Sequence, residues 1–371
     1  MTTEQVERIV FANILRGVAA IAVLISHYIG IFWVMNPAIS SMMGVPELSH
    51  LPALGFPLSL ISEYCIVLGQ FGVGVFFIIS GLVIPFSLKN ESKLGFLHRR
   101  AIRIYPVYIV GFSIVMLSLY ALSFYAITPF NFAIGDMLAH LGVITRGPLN
   151  VNRIDGISWT LEVEIYFYLI MCVLGERIIN FDVKKYIITA SVVACFSAVI
   201  FKTQGYLIGV QTASSLLFLL GTAYYSTIKK KISIKNLLII QSVITALLLL
   251  LWLGVAESAS YIIHWIVGYI LGIAVFYICF LFRNKIKENA LLSHFSAISY
   301  PLYVVHTLFG YAIMYVLVDS GSGPYTAVAV ATLCAYMAAL FIHFFVERPS
   351  MAWIKQSRMS TSITHNTLPR S

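Results

Sequence analysis

Ten stretches of this 371-residue chain are apolar for roughly 17 to 25 residues at a time, the length at which a helix crosses the hydrocarbon of a bilayer. They lie near 9–34, 70–88, 104–126, 157–175, 186–201, 207–228, 236–254, 261–282, 295–317 and 325–346. Backbone polar groups in lipid must be satisfied within their own segment, so uninterrupted runs of this kind fold as helices. The expected fold is therefore all-α, a polytopic membrane bundle of about ten transmembrane helices. Composition agrees: 60% of residues are hydrophobic and 11% charged, too few polar groups to cover a water-facing surface. Residues 1–347 are expected to form one integral membrane unit, and 348–371 a polar, disordered cytoplasmic tail. Phe130 to Thr145 is too short to span and reads as an interfacial or re-entrant helix.

Basic residues test this topology, because the spans are drawn without them. With the N-terminus inside, 20 of the 24 lysines and arginines fall in cytoplasmic segments. Arg146, Arg153 and Lys202 fall outside, and Arg16 lies within a span. Such asymmetry places both termini in the cytoplasm. The net charge of +9 is thereby a matter of topology, and no nucleic-acid partner is implied. The five cysteines are scattered, with no CxxC and no metal-ligand spacing, so no metal is expected. The start, MTTEQVERIV, lacks a basic n-region, and the first span is expected to remain as an uncleaved anchor.

Ionisable side chains within a bilayer are costly, which makes each one a functional candidate. Arg16 and His27 share the first span. Eleven positions at 100° make three turns and about 20°, so both project from one helix face, about 16 Å apart. A snorkelling arginine and a histidine satisfied by a neighbouring helix would account for them as well. Histidine is, however, the usual general base near neutral pH. The fourth span opens Ser158-Trp159-Thr160-Leu161-Glu162-Val163-Glu164, with Trp159 expected at the outer interface and Glu164 at about the depth of His27. Two carboxylates at i and i+2 face nearly opposite ways, so Glu162 and Glu164 are not a paired acid and base. Glu164 could orient His27, bind acceptor hydroxyls, or serve only to buffer a polar group on a neighbouring span. At the inner mouth of the third span, Arg99, Arg100 and Arg103 cluster at helical spacing. Arginine forks suit phosphate, although a topology-setting cluster would look the same. His264, His306 and His343 are further intramembrane polar residues, and Pro301 is expected to kink the ninth span. No serine-hydrolase elbow, zinc-protease helix or phosphate-binding glycine loop is present.

Six segments run in order along nearly the whole chain. They are Arg16-x10-His27; Gly74-Val75-Phe76-Phe77-Ile78-Ile79-Ser80-Gly81; and Phe96-x2-Arg99-Arg100-x2-Arg103-x2-Pro106. The others are Ser158-Trp159-Thr160-Leu161-x2-Glu164-x2-Phe167-Tyr168; Ser299-Tyr300-x2-Tyr303-x2-His306; and Glu347-Arg348-Pro349. Together they resemble the acyltransferase 3 family of integral membrane O-acyltransferases, in the stand-alone form without an SGNH-type domain. The additional Glu162 leaves open which carboxylate carries the family's role. The resemblance implies an enzyme that takes an acyl group, most often acetyl, from cytoplasmic acyl-coenzyme A as co-substrate. The group goes to a sugar hydroxyl of an envelope glycan or lipid-linked saccharide, in a bacterial inner membrane. On that reading Arg99, Arg100 and Arg103 hold the donor's phosphates and Arg16 guides its pantetheine arm. His27 is the general base, with a transient acyl-histidine as the competing mechanism, and Glu164 orients it. Ser80, Trp159, Glu162, Tyr168 and His306 are accessory candidates. The rival class is a transporter or flippase for a glycan precursor or small solute, whose path Arg16, His27 and Glu164 would line.

Overall fold

The computed structural model describes residues 3–88, 92–146, 149, 151–255 and 262–354, apart from the side chains of 3–9, 207 and 255. Every regular element among them is helical. Among the described residues, eight helices are long and apolar enough to cross a membrane: Val10–Val34, Leu58–Leu88, Lys93–Tyr125, Ser158–Ile178, Val183–Gln204, Ile234–Gly254, Ile262–Leu281 and Pro324–Ile354. Ser299–Val305 and Leu308–Asp319 add a ninth if read as one span bent by 52°. Tyr206–Ile228 takes the place of the sixth expected span, 23 residues long and mostly buried.

Several helices begin well before their apolar runs. Lys93–Tyr125 starts eleven residues ahead of the expected 104 because Ser92 caps it, its hydroxyl accepting the Gly95 N–H at 3.1 Å. The arginine-bearing turns thus belong to the same rigid helix as the apolar run. Leu58–Leu88 takes in a third of the expected outer loop, and Asn36–Met43 forms a short helix in the rest. Of the stretch 130–145, only Ile134–Leu141 is helical. At the other end, helix continues to Ile354, past the expected boundary at 347; the remaining tail residues lie outside the described ones.

Leu58–Leu88 is the hub, packed against Thr3–Ile25, Ser158–Ile178, Tyr206–Ile228 and Ile262–Leu281. Small residues let these backbones meet. A Cβ on Gly81 would sit 2.1 Å from the Phe218 carbonyl oxygen, and one on Gly221 would sit 2.3 Å from that of Ile78.

Two departures from regular helix lie opposite one another. Residues Ser26–Ile31 form a π-helical segment inside the first span. Across from it, the chain breaks at His306 and Thr307, where Thr307 leaves the helical region with ψ of −97°. The helix is interrupted at Ile298, three residues before Pro301, in line with the expected kink there, but the 52° bend at Thr307 is a separate break. Pro301 occupies the first turn of Ser299–Val305, where its missing N–H is not required, and the break comes six residues later at Thr307. The Tyr28 hydroxyl donates to the freed His306 carbonyl at 2.6 Å. Gly310 admits that phenol: a Cβ there would lie on top of the Tyr28 oxygen.

Candidate functional site

The segment before Ser158 folds back into the bundle instead of ending in water: Ile154, Asp155 and Ile157 are all buried. Asp155 Oδ1 accepts the Ser158 N–H at 2.8 Å and the Ile157 N–H at 3.3 Å, tying down the start of the helix. His140 secures the same segment. Its Nε2 accepts the Ile154 N–H at 2.9 Å, its Nδ1 donates to the Asp136 carbonyl at 3.2 Å, and its ring stacks on Phe112. Burial holds the His140 imidazole below its ordinary value, in keeping with a neutral ring. Ser158–Ile178 therefore begins among buried residues. Trp159 packs on Phe77 and Trp265.

Glu162 and Glu164 leave this helix on opposite faces. Glu162 is buried with Arg146, whose Nε and Nη2 donate to Oε1 at 2.8 and 2.6 Å. Gln211 donates to Oε2 at 3.1 Å, and Arg153 Nη2 lies 3.5 Å from the same oxygen. Burial pulls the Arg153 guanidinium below its ordinary value while Glu162 opposes the shift. This cluster ties Arg146 and Arg153 to Ser158–Ile178.

Glu164 faces a cavity of about 110 Å³ between the helices. Arg16, Arg100 and Arg103 line it with Ser80, Thr160, Tyr168, Tyr300 and Tyr303, and Phe76 and Phe77 form part of an apolar wall. Ser80 and Tyr168 donate to Glu164 Oε1 at 2.9 and 2.5 Å. The Arg100 guanidinium rests over the rings of Phe96 and Tyr168, 5.3 and 5.4 Å from their centroids, and donates to Ser87. Tyr300 donates to the Ile104 carbonyl at 2.9 Å, and Tyr303 pairs with Thr160 at 2.9 Å. Three guanidinium groups thus meet one carboxylate on the cavity wall, and the buried Arg16 Nε has no hydrogen-bond partner. Glu347, off the cavity wall, adds a second negative charge near Arg16, and three guanidinium groups against two carboxylates still leave the site net positive, with room for water or an anionic ligand.

Of the residues singled out from sequence, Arg16, Ser80, Arg100, Arg103, Glu164 and Tyr168 come together here. Arg99 is not on the cavity wall, since the helix turns Arg100 and Arg103 inward. Glu162 is committed to Arg146 and Arg153. The expectation that Glu164 orients His27 is corrected by the hydrogen bonds: its carboxylate is held by Ser80 and Tyr168 beside the arginines.

His27 stands behind the cavity wall, in the π-helical segment. Its Nδ1 lies 2.5 Å from the Tyr311 hydroxyl. Its ring meets His306 edge to face, with centroids 4.7 Å apart. His306 in turn packs on Tyr303, at 5.6 Å, and Tyr303 lines the cavity. Cavity, Tyr303, His306 and His27 are consecutive layers. Tyr28 and Tyr311, which hold the histidine layer, carry no sequence signal beyond being intramembrane tyrosines. The motif containing Tyr300 and Tyr303 did point to the cavity.

A family model described as an acyltransferase domain matches residues 9–347. No curated protein and no solved structure matches the chain.

Proposed function

The chain belongs to the acyltransferase 3 family and is an integral, multi-pass membrane acyltransferase; from that premise we propose that it moves an acyl group, acetyl in the first instance, from acyl-coenzyme A to a sugar hydroxyl. The acceptor is an envelope glycan or lipid-linked saccharide, and the membrane is the bacterial inner membrane with both termini cytoplasmic. The observation that carries this reading is the cavity in which Arg16, Arg100 and Arg103 outnumber the single carboxylate Glu164. A donor bearing several phosphates supplies the missing negative charge, and arginine forks suit phosphate oxygens. Arg100 and Arg103 stand on the helix that enters from the most basic loop, which the positive-inside pattern assigns to the cytoplasm, where acyl-coenzyme A is found.

Phosphates held by Arg100 and Arg103, with Arg99 beside them, would let the pantetheine arm pass Arg16 toward the histidines. Tyr303 lies between the cavity and His306, so its ring must turn aside for the thioester to reach them. His27 is the reacting imidazole. It takes the proton of the acceptor hydroxyl as that oxygen attacks the thioester, or it carries the acyl group itself. Glu164 fixes Tyr168 and Ser80 and limits repulsion among the three arginines.

The test uses membranes containing the protein, labelled acetyl-coenzyme A and a cell-derived glycan acceptor. His27→Ala should abolish label transfer while the protein stays in the membrane. Retained transfer removes His27 from the reaction, and a wild-type protein that never consumes acetyl-coenzyme A removes the donor.

A further inference from the structure

His306 is buried, and the helix break fixes which of its nitrogens can react. Its Nδ1 faces the Tyr303 carbonyl at 2.8 Å and the Leu302 carbonyl at 3.1 Å. Carbonyl oxygens only accept, so Nδ1 carries the proton and the neutral ring presents its lone pair at Nε2. That Nε2 has no hydrogen-bond partner. It belongs to a ring whose centroid lies 4.7 Å from that of His27. A buried acceptor without a partner is unfavourable by itself, so this one marks a place where a donor is missing.

The two imidazoles are not equivalent as bases. On taking a proton at Nε2, His306 would have its Nδ1–H already held by two carbonyl dipoles. His27 has a hydroxyl at Nδ1, from Tyr311, and among the described residues neither ring has a carboxylate partner. With its Nδ1–H given to that hydroxyl, His27 presents Nε2 as a nucleophile.

Resting on the acyl-transfer reading above, we propose that the two histidines divide the reaction, His27 carrying the acyl group and His306 acting as general base toward the acceptor. His27 Nε2 attacks the thioester carbonyl; a C–N bond forms, the C–S bond breaks, and the thiolate leaves. The acceptor hydroxyl then gives its proton to His306 Nε2 as its oxygen bonds the acyl carbon. The C–N bond breaks with its electron pair returning to His27, and the proton on His306 passes to the thiolate. Thioester and alcohol become ester and thiol, with nothing left over.

The experiment follows labelled acetyl-coenzyme A with the full-length protein in membranes, with and without glycan acceptor. H306Q should take up label on the protein when acceptor is absent and transfer it to glycan at least about a hundredfold more slowly than wild type, the usual minimum for a general base. H27Q should do neither. H306N, whose amide can still donate to the Tyr303 carbonyl, should behave as H306Q does and guards against a folding defect in either variant. An H306Q protein that transfers at the wild-type rate overturns the proposal. So does one that is folded, inert and never labelled while the wild type transfers normally, since His306 would then act before any acyl-enzyme forms. A wild type that does not use acetyl-coenzyme A at all fails at the earlier reading instead.

Discussion

Glu162 and Glu164, two residues apart on one helix, should respond to the same substitution in opposite ways. Glu162→Gln keeps the shape of the side chain but replaces one acceptor oxygen with an NH2 group. Gln211 and Arg153 would then face a donor, and Arg146 and Arg153 would lose their shared counter-charge. Side-chain exposures are 7% for Glu162 and 14% and 15% for the two arginines. Breaking a fully buried pair costs about 3–5 kcal/mol; with this residual solvent access we expect about 2–4 kcal/mol. That is roughly a thirty- to thousandfold change in the folding equilibrium. Glu164→Gln leaves an acceptor for Ser80 and Tyr168 in a cavity that can hold water, so its unfolding midpoint should stay within about 1 kcal/mol of wild type. Its effect falls on the donor: with the only carboxylate on the cavity wall among the described residues gone, the concentration of acyl-coenzyme A at half-maximal rate should drop. Denaturant unfolding of the purified protein in mixed micelles measures the first difference, and initial rates the second. Adding Arg146→Gln to Glu162→Gln should cost less than the two singles combined, because the contact is already broken. Equal stability of Glu162→Gln and wild type, or a larger loss in Glu164→Gln, would refute this division between structural and cavity carboxylate.

Gly81→Ala should lower the yield of folded protein, because its methyl would meet the Phe218 carbonyl at 2.1 Å and force two helices apart at a cost of about 1–3 kcal/mol or more. Arg103→Ala should raise the donor concentration needed by about ten- to a hundredfold at little change in saturated rate, the worth of one charge-assisted phosphate contact; a loss confined to the saturated rate would contradict a binding role. The fold keeps His140 neutral and lowers its value below 6.5. Its contribution to stability is therefore complete above that unfolded-state value and is lost as pH falls below it, until the folded ring also protonates. Unfolding midpoints measured downward from neutral pH should fall in the wild type and fall less steeply in His140→Gln.

Much of this architecture was legible because lipid leaves a chain few choices. The helices sit where the apolar runs do, and Glu162 and Glu164 face opposite ways as i and i+2 spacing requires. What stayed hidden depends on polar chemistry that apolarity does not register. Ser92 extends the third helix back through Arg99 and Arg100, and Asp155 and His140 pull the start of the fourth helix into the bundle. Glu164 meets Ser80 and the arginines, which stand on other helices, and spacing along its own helix does not register them. Periodicity put Arg16 and His27 on one helix face, yet the cavity reaches only Arg16. Tyr303 and His306 come from a distant segment, and no spacing rule within the first helix could place them between the two.

The irregular backbone around the histidines bears on function through the same accounting of polar groups. A helix break or π-helical segment in a bilayer releases carbonyls that lipid cannot satisfy, and such features persist only where protein groups take them up. Here the Tyr28 hydroxyl takes the His306 carbonyl, His306 Nδ1 takes that of Tyr303, and Trp33 Nε1 takes that of Tyr28. Among the side-chain atoms at the break, His306 Nε2 and the Thr307 hydroxyl have no partner. Each costs about 1–3 kcal/mol when nothing binds it. A regular helix through 299–319 would keep its carbonyls paired internally, and a leucine at 306 would remove the orphan nitrogen. The deviation therefore acts against stability at one point, and that point lies beside His27, the imidazole to which acyl transfer is assigned. Other buried polar atoms, such as the Tyr108 hydroxyl and Trp252 Nε1, also go without partners, but those at the break are the ones set beside a reacting imidazole, where an acceptor hydroxyl would supply the donor.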